Sequence, residues 1–241
     1  MQGILLRDAY YSEIPAIARM STLAFWDDDL FAILIHPHRE KYPGDADLYW
    51  IRRARVNFWD YRRKWLVAVD KDEKGTDTIV GVAQWERLGP GGRRMECHWL
   101  DPRNLLKPLS RLAMFLHAWS WPNRACDPAQ EDAIERSYPY FEKAWTGDRA
   151  ESWYLELLAV HPDHQGRGIG RKLVQWGLDR AQEERVCASV VSAWGKDGFY
   201  QKAGFNVQSG CATSGEGNPL ANVRGGNIFW KDPEPTNTTV G

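Results

Sequence analysis

The segment "AVHPDHQGRGIGRKL", residues 159–173, places three glycines and two arginines between an apolar run and a new helical pattern. Glycines at 166, 168 and 170 leave the backbone bare where a helix begins. The first amides of a helix have no partner within it, and the helix dipole favours negative charge there. Arg167 and Arg171 add charge-assisted donors. That combination suits a phosphate or pyrophosphate. Two nucleotide fingerprints do not fit: GxGxxG would need glycine at 171, where Arg171 stands, and the GxxxxGK[ST] loop is missing.

A second candidate is Glu156, alone among apolar residues in "SWYLELLAV" (152–160). A carboxylate in such a run is costly to bury unless it is paired, and partial burial raises its pKa towards a value useful for a base. Strand alternation puts it on one face with Tyr154, Leu158 and Val160. The alternative is a structural carboxylate paired to an arginine from residues 90–148. His161, just past the run, is a second candidate base, and a water relay is a third.

The elements that must hold these groups follow from pattern. Residues 3–9 predict a short strand. Residues 12–25 predict a helix capped by Ser12, with Ile14, Ile17, Met20 and Leu23 on one stripe. The acidic run Asp27–Asp29 starts a second helical segment, and 45–64 predicts a long helix. Two strand-like runs flank a DKDEKGTD turn in 64–89, a hairpin signal. Residues 90–148 break the pattern with a GPGGRR loop and two helical stretches, and predict an insertion between the third and fourth strands. The apolar "LAMFLHAWSW" (112–121) predicts a buried or lid helix. After strand 152–160, residues 168–184 form a helix with Gly170, Leu173, Val174, Gly177, Leu178 and Ala181 on its stripe. Strand 187–193, a short helix ended by Gly204, and a strand pair in "NVQSG" and "GGNIFWK" complete the pattern. Residues 232–241 are expected to be a disordered tail on a single domain, 1–231.

Composition narrows the function classes. The net charge of −1 gives no global attraction to nucleic acid or anionic membrane. Four scattered cysteines without a CxxC pair argue for reduced thiols in a cytoplasmic protein, with no metal expected. No apolar run approaches the roughly 20 residues of a membrane span. The 13 tryptophans imply that most are packed.

The pattern Gln165-x-x-Gly168-x-Gly170 resembles the coenzyme A signature of the GCN5-related N-acetyltransferases (GNAT family). "LLAVHPDHQGRGIGRKLV" is similar to that family's strand–loop–helix almost throughout, and "FYQKAGF" (199–205) resembles its second signature. Together these cover about 50 residues, and the flavour is closest to the small-molecule and antibiotic acetyltransferases. The resemblance implies an α/β (α+β) fold. Its central mixed, mostly antiparallel sheet would splay between strands 4 and 5, with helices on both faces and the helical insertion between strands 3 and 4. It implies acetyl-CoA as cofactor. Backbone amides of Arg167, Gly168, Ile169, Gly170 and Arg171 would hold its pyrophosphate, Gln165 and Gly166 would belong to the same cofactor-binding loop, and Leu158, Ala159 and Val160 would pair with the pantetheine arm. Tyr200 occupies the position of the general acid. Many relatives carry an asparagine shortly before that tyrosine; this chain has Lys196 and Asp197 there, so Lys196 meeting a phosphate and Ser192 holding the arm are the candidates in its place.

The expected activity is acetyl transfer to a small-molecule amine by a monomer or homodimer. Asp27–Asp29 would draw a cationic amine and tryptophans would stack on its body. The alternatives are a protein (lysine or N-terminal) acetyltransferase and a catalytically silent acyl-CoA-binding sensor. No nucleic-acid or membrane partner is expected.

Overall fold

The computed structural model describes residues 3–71, 77–95 and 99–234. Seven strands form one sheet in the order β1-β2-β3-β4-β5-β7-β6. They are β1 (Leu5–Asp8), β2 (Arg63–Lys71), β3 (Asp77–Leu88), β4 (Ser152–Val160), β5 (Cys187–Ala193), β6 (Val207–Cys211) and β7 (Gly225–Lys231). Every pairing is antiparallel except β4 with β5. Helices α1 (Ile14–Ala24) and α2 (Ala46–Asn57) precede β2, with a π-helical turn at Asp29–Ile35 between them. Helices α3 (Gly89–Arg94), α4 (Arg103–Ser120) and α5 (Ala133–Phe141) lie between β3 and β4. Helix α6 (Ile169–Glu184) joins β4 to β5, and α7 (Asp197–Ala203) follows β5.

The sheet has a core on each face. Leu155, Trp85 and Val190 pack with Ile169, Leu173, Val174, Leu178 and Ala181 of α6. Val67, Val82, Leu157 and Ala159 pack on the other face with Ile14, Ile17 and Met20 of α1 and with Tyr49, Trp50 and Ala54 of α2. Each large aliphatic side chain so buried stabilises the fold by about 1.5–3 kcal/mol. Gly177 lets α6 approach: a Cβ there would lie 2.1 Å from the Trp85 ring.

Several local expectations change. Ser12 does not cap α1. A 3-10 turn, Tyr11–Glu13, comes first, with the Glu13 carboxylate accepting the Tyr10 N–H at 2.8 Å and holding Arg7 at 2.6 Å. The long helix of 45–64 stops at Asn57, because Phe58 and Trp59 turn onto Tyr11 and Asp60 caps the backbone of Arg62. GPGGRR is a short helix, not a loop; it starts after extended Leu88, and Glu151 accepts its Gly91 N–H at 3.0 Å.

Helix α4 departs most. It has no buried residue, so it is neither core nor a lid over one. Correspondingly, Trp119 and Trp121 are exposed, as are Trp99 and Trp194; Trp50, Trp65, Trp85, Trp153 and Trp230 are the buried ones. The turn between β2 and β3 lies mostly outside the described residues, as does the expected tail from residue 235; before it, Glu234 N–H bonds the Gln182 side chain at 2.8 Å. Among the described residues, no helix is long and apolar enough to cross a membrane.

Candidate active site

The ladder between β4 and β5 is short. It pairs Ser152–Leu155 with Cys187–Val190 and stops. Beyond it, β4 runs on to Val160 against β3 alone, while β5 continues against β7. The two strands therefore part like the arms of a V, and the β5-side edge of Leu158, Ala159 and Val160 is left without a strand. An extended chain of amide groups could add along that edge.

A bulge sets the splay. Trp85 pairs with Leu155 and Gln84 with Leu157, so Glu156 is the extra residue. The alternation expected for this strand accordingly fails. Tyr154, Glu156 and Leu157 all line a cleft on the α1/α2 face, whereas Leu158 and Val160 turn to the α6 side. One inserted residue puts two consecutive side chains on the same face.

At the tip of the V, His161–His164 make a tight turn and the glycine stretch leads into α6. Gly166 (φ +74°) and Gly168 (φ +77°) adopt left-handed backbone that side chains disfavour. No heavy atom comes within 4 Å of a Cβ built on either, so their outer side is open. Lys172 is the first residue whose amide reaches an acceptor of the turn, Gly168 O at 3.1 Å, and the amides before it begin the helix with no acceptor one turn back. Ile169 is buried in the core and offers only its backbone. The Gln165 side chain bonds Val160 O at 3.2 Å, tying the loop to the strand end. Arg171 is exposed. Arg167 is held by Asp70 at 3.0 Å and by His164 Nδ1 at 2.7 Å, so β2 shares its charge. The open glycine backbone at a helix start, flanked by Arg167 and Arg171, fits a diphosphate.

The remaining predicted residues divide. Tyr200, in α7, is buried between Phe199 and Phe205, with ring centroids 5.1 and 5.9 Å away. Burial raises its pKa, keeping the phenol protonated. Ser192 donates to Asp197 Oδ1 at 2.6 Å, and Asp197 accepts from Asn227 at 2.8 Å, so this hydroxyl pins the start of α7. Lys196 is exposed at the same helix start. His161 caps the turn after β4, its Nδ1 accepting the Asp163 N–H at 3.2 Å, and does not line the cleft.

The cleft encloses about 1030 Å³ including its open mouth. Six aromatic side chains stand in its walls: Phe31, Trp50, Trp65, Tyr138, Phe141 and Tyr154. Glu156 is paired, but its partners do not come from residues 90–148, the alternative weighed above. Arg63 from β2 donates at 2.6 Å, Gln84 from β3 at 2.9 Å and Arg53 from α2 at 3.3 Å. Arg53 continues to Glu135 at 2.5 Å and Arg63 to Glu86 at 2.9 Å, giving a row of alternating charge along the wall.

Asp28 is the other carboxylate in the cleft. Its Oδ1 accepts the N–H groups of Leu30 and Phe31, each at 2.9 Å, capping the π-helical turn. Among the described residues Oδ2 accepts no hydrogen bond. Burial raises its pKa, opposed by those two N–H donors. Its neighbour Asp29 is committed to Arg224, at 2.5 and 2.7 Å, and Asp27 is exposed. The sequence grouped three acids; the fold turns one of them into the cleft. Arg53, Arg63 and Gln84 were missed, although polar Gln84 and Glu86 inside an apolar strand were a visible signal.

Comparison with known proteins agrees with this geometry. Residues 139–207, from α5 through β4, the glycine loop, α6, β5 and α7, match a family model described as an acetyltransferase (GNAT) domain. The fold is shared with a Corynebacterium glutamicum protein described as histone acetyltransferase HPA2 and related acetyltransferase, at 18% identity and a TM-score of 0.57, covering 98% of this chain and 99% of that one. It is shared also with PH1933 of Pyrococcus horikoshii, at 13% identity and a TM-score of 0.53, covering 97% and 100%. Residues 139–207 thus carry the mark of a GNAT acetyltransferase domain, and the chain as a whole shares the fold of these structures.

Proposed function

We propose that the protein transfers an acetyl group from acetyl-CoA to the amine of a small molecule with an apolar or aromatic body. The observation that carries this reading is the β4–β5 splay, which begins past Leu155 and Val190, leaves the free edge of β4 running toward the glycine loop, and holds between its arms the cleft with its aromatic walls. The α6 amides and Arg171 hold the diphosphate, and the free edge of β4 at Leu158, Ala159 and Val160 aligns the arm. When bound, the cofactor supplies an activated acetyl thioester.

The residues of the chain then have two protons to move. An alkylammonium, with a pKa near ~10, must lose one before its nitrogen can attack. Glu156 is a poor receiver, since Arg53, Arg63 and Gln84 already occupy it. Asp28 Oδ2 is open, and burial has raised its proton affinity; it anchors the ammonium and takes its proton. Tyr200, kept protonated by its apolar surroundings, gives a proton to the departing thiolate. Glu156 keeps Arg53 and Arg63 in the wall. The aromatic rings stack on the body of the acceptor, and the indole N–H of Trp65, buried with no hydrogen-bond partner among the described residues, is a donor for a polar group on it.

The test is thiol release from acetyl-CoA with a panel of amines. Turnover is expected with arylalkylamine-type acceptors, and more weakly with peptides bearing a lysine or free N-terminus. Faster turnover of the peptides would reassign the protein to protein acetylation. Tight acetyl-CoA binding with no turnover of any amine would make it a silent sensor.

A further inference from the structure

Helix α4 carries an apolar stripe on its solvent side. Leu105, Leu109, Leu112, Leu116 and Trp119 recur at alternating steps of four and three residues, on one narrow stripe, with Phe115 beside it. All six are at least half exposed, Phe115 at 71% and Trp119 at 83%. The side turned toward the body mixes half-buried Leu106, Met114 and Ala118 with polar anchors. Lys107 reaches Asp60 at 2.7 Å, Asn104 accepts from Tyr61, and His117 accepts from Arg52 of α2 at 3.3 Å. The helix is thus moored to the body by ion pairs and hydrogen bonds beside a few half-buried apolar contacts, while four of its five leucines face solvent.

We propose that this face is a homodimer interface, with α4 packing antiparallel on α4 of a second copy about a two-fold axis near Leu112. The alternating four–three spacing is the seam that seats knobs in the holes of another helix. It is self-complementary, as a two-fold contact requires. The two aromatics and four leucines expose on the order of 500 Å² of apolar surface. That approaches the roughly 800 Å² per side of a standard interface before any rim is added. Antiparallel docking is favoured by charge. Arg103, Lys107 and Arg111 lie in the N-terminal half of the helix, which holds no acidic residue. A parallel pair would align the two helix dipoles, whereas an antiparallel pair sets each N-terminal half beside the negative C-terminal end of its partner. A membrane surface fits less well, because Arg103 and Lys107 are already engaged by Asp101 and Asp60 and only Arg111 is left to meet anionic headgroups.

Sedimentation velocity of the full chain over a concentration series tests this. The wild type should dimerise, and Leu112→Glu should weaken association by at least about thirtyfold. Circular dichroism should stay unchanged, since Leu112 supports nothing within one copy. In a Cys97→Ser background, Leu112→Cys should cross-link to its own copy under mild oxidation and Leu105→Cys should not. Three results would overturn the proposal. One is a wild type that is monomeric at every concentration, whether or not it floats with phosphatidylcholine–phosphatidylglycerol vesicles. Another is Leu112→Glu sedimenting like wild type. The third is Leu105→Cys cross-linking as readily as Leu112→Cys, which would reject the antiparallel arrangement.

Discussion

Asp28 and Tyr200, the two groups assigned to move protons, both have proton affinities raised by burial, and they have opposite duties. Asp28 must be ionised to accept a proton, so the rate should fall as pH drops through its raised pKa. Asparagine keeps the cap on Leu30 and Phe31, since it caps as well as aspartate. Asp28→Asn should therefore leave thermal stability nearly unchanged, lower kcat/KM by about 10²–10⁴-fold and flatten the acid limb of the pH–rate profile. A profile whose acid limb survives in this variant would return the base to Glu156 or a water. Tyr200 must be protonated to act, and its raised pKa keeps it so beyond the ordinary tyrosine value of ~10. Tyr200→Phe should lower kcat by a similar factor while calorimetry shows acetyl-CoA affinity little changed. Glu156 belongs at this scale too: its type was legible as chemistry, but its three donors lie 72 to 103 residues away along the chain. No local pattern could say whether that carboxylate was free.

At the scale of elements, the splay depends on β4 being held straight on one side and abandoned on the other. The bulge at Glu156 and the packing of α6 do this together. Helix α6 lies close enough for Trp85 Nε1 to bond Leu173 O at 3.3 Å, and Gly177 makes room for that ring. Gly177→Ala would normally favour a helix by about 0.8–1.0 kcal/mol. Here the methyl meets the indole, and overpacking of about 1–3 kcal/mol wins. The variant should unfold at lower urea and bind acetyl-CoA more weakly, because the amides of Gly168 and Gly170 move with the helix. A stabilised variant would show that the Trp85 ring yields. The helical stripe with Gly177 on it was readable from the sequence. That the glycine faces an indole, and that one bulge would break the β4 alternation, were not, because both depend on a neighbouring strand.

Across the molecule, stability against acid is set by carboxylates of opposite shift. Burial tends to raise the pKa of Asp60, but Arg62 and Lys107 outweigh it and hold the carboxyl well below the usual range. Glu13, held by Arg7, is also lowered. Stability from such groups is complete above the unfolded values of about 3.9–4.3 and is lost as pH falls through the folded ones. Asp28 has the reverse sign, so its protonation favours the folded state. The urea midpoint should thus hold or rise slightly from neutral to about pH 5 and fall steeply below about pH 4. Asp60→Asn should reduce that low-pH loss and, by freeing Lys107, speed hydrogen exchange in α4. A midpoint falling steadily from neutral pH would contradict this assignment.

What the sequence settled by itself were the features written in short windows. The glycines at 166 and 168 specified an open left-handed turn at a helix start, because residue type alone decides which backbone can turn that way. Periods of two and 3.6 laid out the strands and helices around it for the same local reason. Tertiary structure decided the rest. It chose Asp28 out of three adjacent acids, neutralised Glu156 with two distant arginines, and turned the leucines of α4 outward by anchoring its polar side to Asp60 and Arg52. Each of those outcomes depends on which surfaces meet after the chain collapses, and amphipathicity states only that a helix has two faces, not which one the body will take.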